Sequence, residues 1–510
     1  MAGLQSAGMK AYAPAWLPVR SQWRLSWPLL AASVVYLYCL VDARGLLMDG
    51  DTLWHIAAGE WILRHQAIPV QDPFSHTMPG APWTAHEWLA EVILAGAYQA
   101  GGFAGLVAVA GAAFALTAAC LTRFLLRWFE PAYVLLFAVV AIKMASVHLL
   151  ARPHLLAMPL LLLWVIELVN ARCDARPPRL HLLAVLVLWA NLHGSFTFAL
   201  VLAGFFALEA VVEAPPAQRR AAALAWGRFV LLAFAAALLT PHGWDGMFFT
   251  WKVLVDSTPA LDLIGEWRSP DFHQAQPLEV WLLGLIGVAL VQGIRLPAMR
   301  VVLLLLLVHL SLKHLRHVAL LGLVSPVLLA PALATHWNQR RATRTQLQVA
   351  DRALGSLSPP AGPAAWVLAA AILSLATVAA HWLRPFEPKV PAAAVLAARS
   401  AGATGPVLNT YDWGGYLIFS GIPPFIDGRA DMYGNALLKE YVDAVAPGSA
   451  ADMHRVLDKY GIQWTLLEPR TAAIAALDLS PGWRRLHTDG QAVVHVRTLP
   501  AAGAQILPSK

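Results

Sequence analysis

Charged residues are scarce in this chain. Asp, Glu, Lys and Arg make up 13% of the 510 residues, whereas hydrophobic residues make up 58% and the mean hydropathy is +0.58. Soluble domains carry roughly 25% charged residues, so the composition excludes an ordinary soluble protein. It predicts a polytopic α-helical membrane protein.

Cysteines and nucleotide-binding motifs are scarce too. The three cysteines, Cys39, Cys120 and Cys173, lie in or beside apolar segments. This placement excludes a disulfide framework and a cysteine-based zinc cluster in the C-terminal part of the chain. The sequence has no Walker loop, dinucleotide-binding fingerprint or nucleophile elbow of the GxSxG type. ATP-driven and hydrolase functions are therefore disfavoured.

Long apolar runs are plentiful. A helix needs about 20 apolar residues to cross roughly 30 Å of hydrocarbon, and about eleven such runs occur between polar breaks. The predicted spans are 25–47, 103–126, 131–149, 153–170, 180–195, 196–213, 224–241, 278–294, 299–315, 317–335 and 363–383. We therefore predict a membrane domain over residues 25–383.

Positive residues indicate the orientation of these spans. They occupy every second connection: Arg20 and Arg24; Arg123 and Arg127; Arg172, Arg176 and Arg179; Arg219 and Arg220; Arg295 and Arg300; and Arg340, Arg341 and Arg344. Because cationic loops resist translocation, these connections and residues 1–24 are predicted to be cytoplasmic. The expected location is a bacterial inner membrane, in which residues 384–510 form a small external, periplasmic α/β or α+β domain. The net charge of +7 reflects topology and not nucleic-acid binding.

The predicted external loop 48–88 is more polar and acidic than the chain around it. DTLWHIAAGEWILRHQ favours an amphipathic helix on the membrane surface, with Asp51 as its N-cap and Trp54 as an interfacial anchor, and WTAHEWL predicts a second interfacial helix. Asp72 precedes a proline, which is typical of a turn. Carboxylates here can meet both a lipid-borne phosphate and an aqueous acceptor. Asp51, Asp49, Asp72 and Glu87 are therefore candidate catalytic residues.

Histidines and a few cations gather on the same outer side. They occur in HLLARPH, ANLHGSF, TPHGW and LKHLRH. Such groups near the bilayer surface mark a substrate path or satisfy one another, so individual histidines can equally cap helix ends. As a set they suggest an anion-binding lining. The candidate phosphate-binding residues are Arg152, His154, His193, Lys313, Arg316 and His317.

An acidic residue after the first span, an external amphipathic loop, about eleven spans and a C-terminal external domain together resemble the GT-C superfamily of membrane glycosyltransferases. Its members use polyprenyl-linked sugars and include protein mannosyltransferases, aminoarabinose transferases and oligosaccharyltransferase catalytic subunits. The resemblance implies that Asp51, or else Asp49, is the catalytic or metal-linked carboxylate. The Asp-Glu pair usual in the family is absent, since Thr52 follows Asp51.

A second resemblance lies in NTYDWGGYL at residues 409–417, which is similar, in permuted order, to the Trp-Trp-Asp-Tyr-Gly motif that holds the acceptor peptide of oligosaccharyltransferases. It implies acceptor binding by Tyr411, Asp412 and Trp413. Next, FIDGRADMY places Asp427 and Arg429 after a predicted strand, where they either bind the acceptor or pair to lock a turn. Further on, ADMHRVLDKYGI predicts a helix, and QWTLLE and AVVHVRT predict strands.

The function implied is transfer of a sugar from a polyprenyl-phosphate-linked donor to a glycan, lipid or protein acceptor. Asp51, helped by Asp72 or Glu87, would deprotonate or orient the acceptor, directly or through a divalent cation such as Mg²⁺ or Mn²⁺. The family's habit is inversion at the anomeric carbon.

Two other classes of function remain open. A transporter or flippase of lipid-linked saccharides should show internal repeats and broken helices. A non-enzymatic scaffold of envelope polysaccharide assembly should tolerate Asp51→Ala. A metal-handling role for the histidines ranks third, since their spacings fit no standard ligand motif.

Overall fold

The computed structural model describes residues 22–255, 265–293, 295–341, 353–446, 448 and 450–498. Most of the predicted N-terminal segment 1–24, including Arg20, lies outside these ranges, as do Arg344 and the last residues of 384–510. Helices follow one another as far as Leu383. They are α1 Trp27–Val41, α2 Ala43–Leu46, α3 Asp51–His65, α4 Trp88–Leu125, α5 Pro131–Ala145, α6 Pro153–Cys173, α7 Leu182–Leu192, α8 Phe196–Glu213, α9 Arg219–Ala237, α10 Gly243–Val255, α11 Pro277–Gln292, α12 Ala298–Lys313, α13 Val318–Arg341 and α14 Pro363–Leu383.

Seven stretches of the described chain are long and apolar enough to cross a membrane. They are Trp88–Leu125, Pro131–His148, Pro153–Cys173, Phe196–Glu213, Pro216–Ala237, Leu315–Trp337 and Pro363–Leu383. The predicted fold class, a polytopic helical membrane protein with a small C-terminal domain, is confirmed. Each of the predicted spans contains a helix, but α1, α7, α11 and α12 have only 15, 11, 16 and 16 residues, so a count of eleven spans is not confirmed. An apolar run also includes the turn at its end: run 25–47 continues past Asp42, where α1 stops.

Contacts between connections define two ends of the helical bundle. At one end, here called the far end, Arg127 Nη1 donates to Asn170 Oδ1 at 3.0 Å and Trp27 N donates to Leu357 O at 2.9 Å. At the other, the loop end, Ala151 N donates to Leu46 O at 2.9 Å. Helix α14 starts at the far end and leads into the C-terminal domain. Loop 48–88 and the C-terminal domain therefore share the loop end.

Helix α4 is broken near its loop end. Gly101 and Gly102 have non-helical backbone angles, and Gly102 has a φ of +56° and a ψ of −144°, a conformation open mainly to glycine. The predicted span 103–126 begins directly after the break. The part before it is the second helix predicted from WTAHEWL, and it packs against α3.

Helix α3 forms as predicted, and its apolar side packs against protein. Its residues Leu53, Trp54, Ile56 and Ala58 are buried, and Trp54, the predicted interfacial anchor, packs in a cluster with side chains of the C-terminal domain. The N-cap is Gly50 and not Asp51. These expectations were wrong because the apolar side of the helix is covered by protein, which the sequence of the loop alone does not reveal.

The C-terminal domain contains helices α15 Ala392–Ser400, α16 Gly414–Phe419, α17 Ala430–Val445, α18 Ala450–Lys459 and α19 Ala473–Leu479, and strands β1 Val407–Asn409, β2 Trp464–Leu467, β3 Trp483–Thr488 and β4 Val493–Arg497. The sheet order is β1-β2-β4-β3; β1 and β2 are parallel and the other pairs are antiparallel. Helix α18 and strands β2 and β4 confirm the predictions from ADMHRVLDKYGI, QWTLLE and AVVHVRT.

The strand predicted before Asp427 is absent. Phe425 and Ile426 are buried in a loop, where the Asn409 amide accepts from Phe425 N and donates to Ile426 O, both at 2.8 Å. An apolar run usually requires a neighbouring strand to satisfy its backbone, but here one side chain does so. Strand β3 was not predicted, because WRRLHT is mostly polar.

Candidate functional site

Asp51 is the first residue of α3 and lies beside a guanidinium from the α5–α6 connection. Arg152 Nη2 is 2.6 Å from Asp51 Oδ2, and its Nε forms an ion pair with Asp49. Arg152 Nη1 is 3.3 Å from Glu266 Oε2. The structure thus brings together two of the four predicted catalytic carboxylates, Asp49 and Asp51, and one predicted phosphate-binding residue, Arg152.

Two influences act on the ionisation of Asp51. Burial, and then the charges of Glu266, Asp427 and Asp412, raise the pKa of Asp51 to about 8. The guanidinium of Arg152 acts in the opposite direction. The pKa of Asp51 is nevertheless raised, because Arg152 is shared among three carboxylates and its positive charge acts only in part on Asp51. A carboxyl group that titrates near neutral pH is suited to accept a proton.

Backbone of the C-terminal domain lies directly against this acidic loop. A Cβ atom on Gly428 would overlap the Asp51 carboxylate, and one on Gly50 would overlap the backbone carbonyl of Asp412. Burial and the nearby charges of Asp51 and Asp427 raise the pKa of Tyr411 well above its ordinary value, so its phenol stays neutral. Two predicted acceptor-binding residues, Tyr411 and Asp412, therefore adjoin Asp51. Trp413 packs against the other side of the sheet.

Glu266 is a residue of this site that the sequence did not single out. Its carboxylate lies 2.6 Å from His148 Nε2, 3.3 Å from Arg152 Nη1 and 3.2 Å from Arg316 Nη1. Burial alone would raise the pKa of Glu266, but the hydrogen bond from His148 and the charges of Arg316 and Arg152 hold it well below its ordinary value. A carboxylate in a predicted outer connection is the signal that singled out Asp51, and it applies equally to Glu266.

Glu87 lies in a second cluster, with histidines. Its oxygens are 3.7 Å from His55 Nε2, 3.7 Å from His86 Nε2 and 3.4 Å from His193 Nε2. Burial raises the pKa of Glu87 well above its ordinary value, lowers those of His55 and His193 well below theirs, and lowers that of His86 to about 4. Burial therefore favours the neutral forms of all four side chains.

Several buried polar atoms around the two clusters have no hydrogen-bond partner among the residues that the structure describes. They include Thr52 Oγ1, His55 Nδ1 and Glu91 Oε2. Buried polar atoms are nearly always paired, so an accumulation of unpaired ones points to a role other than stabilising the fold.

The remaining predicted phosphate-binding residues are placed differently. His154 Nε2 lies 3.1 Å from the backbone oxygen of His148, and His317 Nδ1 lies 3.3 Å from that of Leu310. Both contacts match the helix-end role weighed as the alternative. Lys313 is exposed.

Asp72, Asp427 and Arg429 join loop 48–88 to the C-terminal domain. Arg429 binds Asp427 through Nε and Nη2 at 2.8 and 2.7 Å, and Asp72 through Nη1 at 2.7 Å. Asp72 also accepts from Phe74 N at 2.9 Å, as expected of a turn. All three side chains are buried. Their oxygens and nitrogens are occupied by one another, an arrangement that fits the turn-locking role better than acceptor binding.

Metal binding finds no support in this geometry. Within the described ranges, no three His, Cys, Asp or Glu side chains are grouped to hold an ion. The oxygens that would bind Mg²⁺ or Mn²⁺ belong to Asp49 and Asp51, and the Arg152 guanidinium is paired with both. As they stand, these residues do not fit a divalent cation.

Comparison with known proteins gave structural likenesses alone: no family model and no curated protein sequence matches the chain. An oligosaccharyltransferase of Archaeoglobus fulgidus matches at 12% identity and a TM-score of 0.48, over 86% of this chain and 69% of that one. ArnT of Cupriavidus metallidurans in its apo state matches at 15% identity and a TM-score of 0.46, over 92% of this chain and 96% of that one. The same ArnT with undecaprenyl phosphate bound matches at 14% identity and a TM-score of 0.42, over 94% of this chain and 98% of that one. At TM-scores below 0.5 these likenesses do not establish a function, which has to come from the side chains of this chain.

Proposed function

We propose that the chain is a membrane glycosyltransferase of the GT-C type, which moves a sugar from a polyprenyl-phosphate-linked donor to a hydroxyl or amide acceptor. The observation that carries this proposal is the contact of Asp51 with Arg152. It places a carboxyl group of raised pKa beside a guanidinium, at the end of an apolar helical bundle and under a second domain. A lipid-borne phosphate and a water-soluble acceptor can both reach such a place.

The chemistry assigns the two side chains different tasks. The acceptor oxygen or nitrogen attacks the anomeric carbon, the bond from that carbon to the donor phosphate oxygen breaks, and the polyprenyl phosphate leaves. Asp51 takes the proton that the acceptor loses. Arg152, together with Arg316, neutralises the charge that develops on the leaving phosphate. A single displacement without a covalent intermediate inverts the anomeric carbon.

The outer face of the membrane is the proposed location. Arg127, Arg172 and Arg300 all lie at the far end of the bundle, where they contact neighbouring helices. By the positive-inside rule the far end is cytoplasmic, and the loop end with its C-terminal domain is external. In a bacterial inner membrane this side is the periplasm. The acceptor, a glycan, lipid or protein, then approaches from the side of Tyr411 and Asp412.

Genetic complementation tests this function. Cells lacking the protein are complemented with the native sequence, with Asp51→Asn or with Asp443→Asn. Asp443→Asn is the matched control, because the Asp443 side chain is partly exposed and pairs with Lys439. Glycans and lipid-linked sugars are then measured. We expect one glycoconjugate to disappear and its polyprenyl-linked donor to accumulate with Asp51→Asn only. Full rescue by Asp51→Asn would contradict the proposal and favour the scaffold or the flippase.

A further inference from the structure

Three basic side chains from two connections converge on one point at the loop end. His148 follows α5, Arg152 precedes α6, and Arg316 lies between α12 and α13. All three contact the carboxylate of Glu266, at 2.6, 3.3 and 3.2 Å. We call His148, Arg152 and Arg316 the anion cradle.

The cradle requires an anion. Its side chains are only 18%, 18% and 29% exposed, so water screens their mutual repulsion poorly. Cations held together in this way are stable only beside a negative charge. In this structure Glu266 supplies that charge to all three side chains, and Arg152 also contacts Asp49 and Asp51.

The Glu266 carboxylate offers only two oxygens to the three donors of the cradle. His148 and Arg152 both contact Glu266 Oε2, whereas Arg316 alone contacts Oε1. Two donors therefore share one oxygen. A phosphoryl group has at least three oxygens on its phosphorus atom, free or bridging. Each of the three donors can therefore bind a different oxygen. The three donors can therefore bind a phosphate in place of the resident carboxylate.

Glu266 can leave the cradle without movement of its backbone. Leu315 N donates to Arg268 O at 2.9 Å, and His314 Nδ1 lies 2.6 Å from Trp267 O. These contacts attach the segment after Glu266 to the turn that carries Arg316. The glutamate side chain has three rotatable bonds, so rotation alone would vacate the cradle.

We propose that the anion cradle binds the phosphate of a polyprenyl-linked substrate, and that Glu266 is an internal competitor which occupies the cradle until that phosphate displaces it. The identity of the substrate as a polyprenyl lipid rests on the proposed function. The recognition of its phosphate rests only on the geometry of the anion cradle. In the empty enzyme Glu266 keeps the cradle neutralised, and on binding it gives up its place together with its share of Arg152.

Competition predicts tighter phosphate binding when the competitor is removed. If Glu266 fills the cradle in about nine molecules of ten, its loss lowers the apparent Kd about tenfold, because apparent affinity scales with the vacant fraction. Glu266→Gln keeps the size of the side chain and removes its charge. Glu279→Gln is the matched control, since Glu279 is exposed at the start of α11.

The experiment uses full-length protein in lipid nanodiscs. Undecaprenyl phosphate and inorganic pyrophosphate are titrated separately into the native protein, Glu266→Gln, Glu279→Gln and Arg316→Gln. We expect about tenfold tighter binding with Glu266→Gln, no change with Glu279→Gln and at least tenfold weaker binding with Arg316→Gln. An effect on undecaprenyl phosphate alone identifies the lipid as the source of the phosphate; an equal effect on pyrophosphate identifies a free phosphate site.

Two outcomes would overturn the proposal. If Glu266→Gln weakens binding as Arg316→Gln does, Glu266 positions the cations and does not compete with phosphate. Unchanged affinity would show that the phosphate binds elsewhere. Should Glu266→Gln not fold, Glu266→Asp takes its place: the shorter carboxylate reaches fewer donors, and binding should tighten by a smaller factor. Because binding is measured without turnover, loss of the Asp51 chemistry would leave these results intact.

Discussion

The two ends of the helical bundle each contain a partly buried charge cluster, and the clusters differ in how well their charges are satisfied. At the far end, Arg300 binds Glu209 through Nε and Nη2, both at 3.0 Å, and donates to Leu328 O. Arg172 binds Glu209 and Glu213 at 3.1 and 2.9 Å. Two cations meet two anions, and each side chain is hydrogen-bonded.

At the loop end, the charges do not match in this way. Arg152 is shared among three carboxylates, and Thr52 Oγ1, His55 Nδ1 and Glu91 Oε2 have no hydrogen-bond partner among the described residues. Both clusters place charges in a partly buried part of a membrane protein, where an ionisable residue is by default a sign of function. The comparison shows that partial burial of charge does not separate the two clusters. They differ in how completely their polar atoms are satisfied, and we expect the less satisfied cluster to be the reaction site.

The largest effect that would sharpen this comparison is expected at the loop end. Asp51→Asn should lower kcat/KM by roughly 10²- to 10⁴-fold, because it removes the proton acceptor. Thermal stability should change little, because the site is not optimised for stability. Turnover of a purified polyprenyl-linked donor and the melting temperature are measured on the same preparation. A large fall in melting temperature with unchanged turnover would reverse the assignment of the two clusters.

The far end should show the opposite pattern. Arg300→Met leaves Glu209 buried with only part of its neutralising charge and should lower the free energy of unfolding by about 3–5 kcal/mol. Turnover per folded molecule should be unchanged. The double variant Arg300→Met/Glu209→Leu should recover much of the loss. Exposed Arg484→Met is the control and should stay within about 0.5 kcal/mol. Thermal and denaturant unfolding in detergent measure these changes.

Positioning of Asp51 by the C-terminal domain gives the next effect. Gly428→Ala places a methyl group where the Asp51 carboxylate lies and should lower kcat about 10²-fold, since small displacements of a reacting group cost that much. Gly490→Ala, with open space around it, should have no effect. Comparing kcat with KM separates displacement of the base from loss of substrate binding. Equal rates in the two variants would show that the domain does not set the position of Asp51.

The smallest effect concerns pH. A carboxyl group accepts a proton only when ionised, so kcat/KM should rise with pH and level off above the pKa of Asp51, which is raised to about 8. Below that value the rate should fall about tenfold per pH unit. Stability should run in the opposite direction and fall as pH rises toward 8, because a carboxyl group with a higher pKa in the folded than in the unfolded state stabilises the fold only while it is protonated. If kcat/KM instead levels off already above about pH 4, Asp51 behaves as an ordinary exposed carboxylate during turnover.

The sequence predicted the helical membrane fold, and its loop-end candidates included Asp51 and Arg152, which the structure brings together. Both results follow from local signals: apolar length for the helices, and polar residues at the ends of apolar runs for the candidates. Glu266 was missed because its importance depends on three connections meeting in space. The surroundings of α3 were missed for a similar reason, since Trp54 is covered by residues more than 300 positions later in the chain. Pairing over such distances leaves no periodic pattern.

The contact of Arg429 with Asp72 also constrains how the protein is made. The two residues are 357 positions apart, and both are buried. At translation rates of about 5–20 residues per second, the first loop waits roughly 20–70 s for its partner to be synthesised. Throughout that time Asp72 and the edge of the acidic loop stay uncovered. Loop 48–88 therefore reaches its final structure only at the end of synthesis, and a nascent chain that stops before Arg429 should carry all the helices of the bundle but no assembled site.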